Sequence, residues 1–205
     1  MRKIITTTFL TLDGVYQAPG GPEEDTSGGF QYGGWQYGQF QDKESGDIMS
    51  AMFKQSFELL LGRVTYDIFA AFWPTAKTDN EVAVPFNATN KYVVSHDANF
   101  KASWNPTTVI SGDVVAEIKK LKAGEGPDLW VWGSGNLIQT LLQHHLIDRM
   151  ELIIHPVTIG TGKKLFAEGT QPATWKLVDS KITPSGVIFA SYEEAGELKT
   201  GSVGK

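Results

Sequence analysis

The sequence predicts an α/β fold, one domain around a mostly parallel central sheet that is closed by a C-terminal antiparallel hairpin. Three observations predict it. Short β-branched or aromatic runs alternate with helical periodicities from Ile4 to His155, the pattern of parallel strands joined by helical crossovers. Glycine or small polar residues stand at the ends of three of these runs, at Gly62, Ser95 and Gly133. Two further extended runs, 175–183 and 186–192, flank the turn residues Pro184, Ser185 and Gly186, a hairpin signal.

Ile4 to Leu12 is β-branched and aromatic and ends at the turn pair Asp13-Gly14, so it reads as a buried first strand. Residues 17–41 then interleave Gly20, Gly21, Gly28, Gly29, Gly33, Gly34 and Gly38 with Phe30, Tyr32, Trp35, Tyr37 and Phe40. A loop this long inside a compact domain is a lid or binding loop rather than a linker, because linkers rarely carry so many rings. Ile48, Met49, Met52 and Phe53 form one stripe of a helix over 42–54. A buried strand over 57–61 stops at Gly62, and 64–72 resumes helical spacing. Strands follow at 91–95 and 107–110, and Ser111-Gly112-Asp113 caps a helix over 114–121. A strand at 129–132, a helix at 135–143 and a strand at 149–155 lead to the hairpin. The domain is expected over 1–192, with 193–205 a flexible, polar, glycine-rich tail.

Composition narrows the function. A length of 205 residues suits one domain, and 41% hydrophobic with 20% charged residues is ordinary globular balance. The net charge of -5 leaves no basic surface for nucleic acid. There is no cysteine, hence no disulfide, thiolate nucleophile or zinc ribbon, and the histidines at 96, 144, 145 and 155 lack metal-site spacing. His144 and His145 end a helix and read as surface groups, and His155, inside a strand, reads as a core or interface group. The first residues are too short and threonine-rich an apolar run for a signal peptide, and no stretch approaches about 18 apolar residues. A soluble cytoplasmic protein is the expectation, with neither membrane nor nucleic acid as partner and no metal.

Glycines between a buried strand and a helix let backbone approach a phosphate at the helix N-terminus. Gly133, Ser134, Gly135 and Asn136 have that placement. The dinucleotide fingerprint of an early strand is absent, since no third glycine follows at the required spacing and the strand comes late. At a second strand end Gly62 permits close approach, Arg63 can pair a phosphate and Thr65 can cap the helix or donate to one. A third end offers Ser95 and His96. In combination the three fit a nucleotide with a pyrophosphate and an additional phosphate, which is NADPH rather than NADH.

The chain resembles the dihydrofolate-reductase-like superfamily, and within it the C-terminal reductase domain of the bacterial riboflavin-biosynthesis deaminase-reductase. The resemblance is carried, in family order over about residues 1–192, by 12–15, Gly33-Gly34-Trp35, 60–66, 91–95, Gly133-Ser134-Gly135, and 154–157 with Gly160, Gly162, Leu165 and Phe166. It implies a three-layer α/β/α domain and an NADPH-dependent reductase acting on a pteridine-, pyrimidine- or riboflavin-precursor-like heterocycle, including the 5-amino-6-(5-phosphoribosylamino)uracil type. By the same resemblance Gly62, Arg63 and Thr65 lie along the cofactor, Arg63 with Ser95 and His96 near its 2′-phosphate. Gly133 to Asn136 take the pyrophosphate, and backbone near Thr8 and Phe9 holds the carboxamide. Asp42 is the candidate proton donor, with an N-cap as its other reading. Trp35, Phe40, Tyr66 and Phe69 are candidate walls of the substrate pocket. A homodimer is implied as well. Dihydrofolate reductase proper and a nucleotide-binding protein without turnover stay open as alternatives.

Overall fold

A computed structural model of the chain describes residues 1–38, 40–77 and 80–204. Gln39 of the expected lid and Lys205 of the expected tail therefore lie outside the described residues. The described strands are Ile4–Thr11 (β1), Phe57–Gly62 (β2), Lys91–Val94 (β3), Thr107–Ile110 (β4), Asp128–Trp132 (β5), Arg149–His155 (β6), Trp175–Ile182 (β7) and Ile188–Glu194 (β8). They form one sheet in the order β4-β3-β2-β5-β1-β6-β8-β7. The first six run parallel to one another, and β8 and β7 close the sheet antiparallel.

Alternating side chains explain why both faces are covered. Leu60, Leu129 and Val131 join Ile4 in one core, packed on Ile118 of helix Val114–Ala123 and on Leu137, Ile138 and Leu141 of helix Gly135–Gln143. Leu59, Leu61, Trp130 and Trp132 face the other way, onto Phe53, Tyr66 and Phe86. Those rings come from helices Lys43–Met52 and its C-cap, Arg63–Phe72 and Ala83–Ala88. In chain order the helices are α1 (43–52), α2 (63–72), α3 (83–88), α4 (114–123) and α5 (135–143). A period-two strand with both faces apolar is what a parallel sheet between helical layers requires. The second core is almost wholly aromatic. Phe57 stacks on Trp130 with centroids 4.7 Å apart and planes at 5°, and Phe53 stacks on Trp132 at 5.5 Å and 16°. Each such ring stabilises the fold by roughly 1.5–3 kcal/mol through burial.

Two departures from the sequence reading are local. Helix α3 was not anticipated because it is six residues long and contains Pro85. The proline is tolerated there since the N–H of the third helical position has no partner within the helix, and Asn80 Oδ1 accepts from Val82 N and Ala83 N just before it. Strand β8 runs to Glu194, opposite Trp175, and Ala195 N donates to Thr174 O. Sheet hydrogen bonding thus continues past residue 192 into the expected tail.

The loop after β1 does not hang free. Leu12 N donates to Val157 O and Tyr16 N to Lys163 O, Val15 bridges Lys164, and Leu165 N returns to Gly14 O. The root of the loop is therefore laced to the segment after β6. Its middle folds on itself at Gly33, where a Cβ would stand 2.5 Å from Gly21 O, so no larger residue fits without moving backbone. Trp35 Nε1 ties the far limb back by donating to Gln17 O at 2.8 Å.

Candidate functional site

The carboxyl ends of β3, β2 and β5 are neighbours in the sheet, with Gly62 in register with Val94. What joins β2 to β5 is Ser134. Its backbone is left-handed, φ 54° and ψ 40°, an arrangement that costs a non-glycine residue about 1–3 kcal/mol unless its surroundings hold it. They do so twice. Ser134 N donates to Thr65 Oγ1 at 2.9 Å, and Ser134 Oγ accepts from Gly62 N at 3.0 Å. Close packing leaves room for little else, since a Cβ on Gly133 would meet Thr65 Oγ1 at 3.3 Å. No side chain caps α5, so the N–H groups of its first turn stay available at this edge. One ring does reach that turn. The phenol of Tyr16 crosses Gly135 so closely that a Cβ there would lie 2.0 Å from the hydroxyl.

Beside this turn Arg63 is held from two sides. Its Nε donates to both oxygens of Asp67 at 2.8 and 2.9 Å, and the guanidinium lies 3.5 Å from the centroid of Phe100. Both partners fix the plane of the guanidinium and leave its terminal nitrogens for another acceptor. At the end of β3, Ser95 is buried and its hydroxyl accepts from Asp97 N at 3.1 Å, while His96 is exposed.

On the aromatic side of the sheet, the ends of β1 and β6 build a box around His155. Trp35 stands edge-on to the imidazole at 5.3 Å and Phe40 at 5.6 Å, while Phe9 is tilted against it at 6.0 Å. His155 is 4% exposed, with Nδ1 3.2 Å from Ile153 O, and burial holds its pKa below the usual histidine value. Outward of the box, the lid segment Tyr32–Trp35 and the loop segment Val157–Ile159 line an open cleft of about 430 Å³. Asp13 supports that loop, accepting from Thr11 Oγ1 at 2.6 Å, Gly160 N at 2.7 Å and Ile159 N at 3.2 Å. These donors, the Thr11 hydroxyl first among them, pull its pKa down to about 2.

Comparison with known proteins meets this geometry. The RibD C-terminal domain family matches residues 2–189. The chain belongs to that family. A relative, the uncharacterized protein YyaP of Bacillus subtilis strain 168, is 29% identical over 198 residues, covering 95% of this chain and 96% of its own. Among solved structures, a Shewanella sp. PV-4 protein named for riboflavin biosynthesis superposes with a TM-score of 0.69 at 20% identity, over 94% of this chain and 98% of that one. The Enterococcus faecalis dihydrofolate reductase complexed with NADP(H) gives 0.59 at 14% identity, over 94% and 96%. A pyrimidine reductase-like protein of Corynebacterium diphtheriae gives 0.60 at 13%, over 96% and 93%. These three share the dihydrofolate-reductase-like fold with this chain.

Within the RibD C-terminal fold, the expected cofactor residues Gly62, Arg63, Thr65, Ser95, His96 and Gly133 to Asn136 lie along one sheet edge. Thr65, Ser134 and the Gly62 N–H are spent on one another and shape the turn. Ser95 likewise shapes its own turn. Thr8 is buried, with no hydrogen-bond partner for Oγ1, and Phe9 enters the His155 box.

Three expectations need correction. Asp42 is the N-cap of α1: it accepts from Ser45 N at 2.8 Å, from Ser45 Oγ at 2.9 Å, and from the Ser185 hydroxyl. The Ser185 hydroxyl and Ser45 N hold the carboxyl well below the ordinary aspartate range. Tyr66 is wholly buried, its hydroxyl accepting from Trp104 N at 2.8 Å, and is core rather than a pocket wall. Phe69 packs on Trp73 and Phe86 at 5.9 and 5.7 Å and belongs to the same core. Trp35 and Phe40 do meet, around a histidine that was read as core or interface. Sequence reasoning also passed over Tyr16, Asp67 and Phe100. Only Asp67 left a trace, as the i+4 partner of Arg63 on a helix.

Proposed function

We propose that this protein is an NADPH-dependent reductase that delivers hydride to a small planar heterocycle. The observation that carries the reading is the pairing of Ser134 with Thr65 and Gly62, which joins two βα junctions next to Arg63, the one arginine at the carboxyl edge among the described residues. The other two arginines are committed elsewhere, Arg2 to Glu58 and Arg149 to Glu193.

The donor set fits the cofactor. The first turn of α5 would receive the pyrophosphate, because its N–H groups carry partial positive charge and no cap competes for them. Arg63 would hold the 2′-phosphate with the nitrogens that Asp67 leaves free. Between that turn and the His155 box, Thr7 Oγ1 and Trp132 Nε1 are buried polar atoms without partners, at paired positions of β1 and β5. They mark where a polar ring such as a nicotinamide carboxamide would find partners. When bound, the reduced nicotinamide supplies a hydride, and a proton completes reduction of one C=N or C=O bond. With the Asp42 carboxylate engaged as the cap of α1, the proton is assigned to solvent reaching the open cleft. Trp35 and the lid would position the acceptor and limit water around it.

The test is a titration of NADPH and NADH against the protein by nicotinamide fluorescence, repeated with Arg63→Ala. A charge-assisted contact of about 1.5–3 kcal/mol predicts a roughly ten- to hundredfold preference for NADPH that the variant abolishes. Equal affinities in the native protein would remove the 2′-phosphate assignment. The proposal extends to a homodimer through the uncovered strand β7, whose Leu177, Val178 and Ile182 are exposed. A monomer by sedimentation equilibrium at micromolar concentration counts against that extension.

A further inference from the structure

The charges around the cleft specify more about the acceptor than its shape does. The walls, Tyr32–Trp35 on the lid and Val157–Ile159 on the loop, carry no side chain that is ionised at neutral pH. Near them, the charge with fixed partners is negative: Asp13, bound by Ile159 N and Gly160 N at the base of the loop. Lys163, on the same loop, is already engaged, its Nζ 2.7 Å from Asp25 Oδ2. Arg63 is three strand positions away from β6, at the end of β2, which is roughly 14 Å at the usual strand spacing. Arg2 and Arg149 precede or begin β1 and β6, at the opposite edge of the sheet. Lys164, beside Lys163, is exposed and is the one cation of that loop without an ion-pair partner among the described residues.

A phosphate in this cleft would meet the field of Asp13 with no cationic side chain in the walls to offset it. A flat uncharged ring gains instead. It can lie along Trp35, in a volume within the range of about 300–1,000 Å³ that small-ligand sites occupy. We infer that the acceptor bound between the lid and the loop after β6 is an uncharged planar ring without a phosphate, so this protein does not act on a phosphoribosyl substrate. The inference rests on the proposed reductase reading for its meaning, because it concerns which molecule faces the cofactor.

The experiment measures quenching of intrinsic tryptophan fluorescence with two matched pairs, riboflavin against flavin mononucleotide and uridine against uridine monophosphate, with and without saturating NADP⁺. Within at least one pair the uncharged member should bind ten times or more tightly than its phosphate ester. Trp35→Ala should weaken that binding at least tenfold, and Lys164→Ala should leave the preference unchanged. Equal or tighter binding of either phosphate ester overturns the inference, as does failure of all four probes to bind below millimolar concentration. A parallel NADPH titration on the same samples separates the two claims. Loss of cofactor binding with intact ring selectivity sinks the reductase reading alone, and cofactor binding without ring selectivity sinks the acceptor assignment alone.

Discussion

The indole of Trp35 meets the imidazole of His155 edge to face, with centroids 5.3 Å apart and planes at 85°. One residue belongs to the lid and the other to the end of a sheet strand, so this contact seats the lid on the scaffold. Phe40 adds a second edge-on contact at 5.6 Å and 77°. Edge-to-face pairs of this kind contribute about 0.5–1.5 kcal/mol beyond burial when the imidazole is neutral.

His155 therefore predicts a pH dependence. Burial lowers its folded pKa below the unfolded value near 6.5, so the unfolded chain takes up a proton before the folded one does. The associated stability is present above about pH 6.5 and is lost as pH falls from there toward the folded pKa. Thermal unfolding followed between pH 8 and 5 should show this slope, and His155→Gln should flatten it. A native slope that survives the substitution would assign the titration to another group.

Gly135 and Tyr16 predict a coupled pair. Gly135→Ala sets a methyl group where the Tyr16 phenol now lies, and overpacking of this kind typically costs about 1–3 kcal/mol. The same substitution made in Tyr16→Ala should cost less than half as much. A double-mutant cycle by denaturant unfolding reads the difference, and additive penalties would mean that the phenol moves aside freely.

Thr65→Val removes the acceptor for Ser134 N while keeping the shape of the side chain. An unpaired N–H in a left-handed turn should lower stability by about 1–3 kcal/mol, and the reductase reading adds a loss of NADPH affinity. Ser134→Gly relaxes the backbone but gives up the bond to Gly62 N, so its stability change should be smaller. If Thr65→Val lowers stability and leaves cofactor affinity untouched, the turn is structural and the nucleotide binds elsewhere.

The fold was legible because period-two and helical spacings are local properties, and the central strands β1, β2, β5 and β6 are written mostly in buried residues. Gly62, Arg63, Thr65 and Gly133 to Asn136 were legible as separate strand ends, since glycine marks the passage from strand to helix whether it serves a tight turn or a ligand. Asp42 misled because a carboxylate at a helix start serves as cap or acid with the same letters, and Ser185, which decides between them, is 143 residues distant. Tyr66 and Phe69 misled because a ring on an amphipathic helix does not say which layer it faces. Tyr16 and His155 were not read as site residues, since their placement depends on how the lid closes over strands far away in sequence.

Asp13 lies in the turn after the first strand yet supports the loop beyond the sixth, through Ile159 N and Gly160 N. Lid and loop thus share one anchor, and neither can be lengthened or displaced by itself. A remodelled lid grafted onto this scaffold would need its matching loop carried with it, so the natural unit for engineering acceptor choice is the two segments exchanged together.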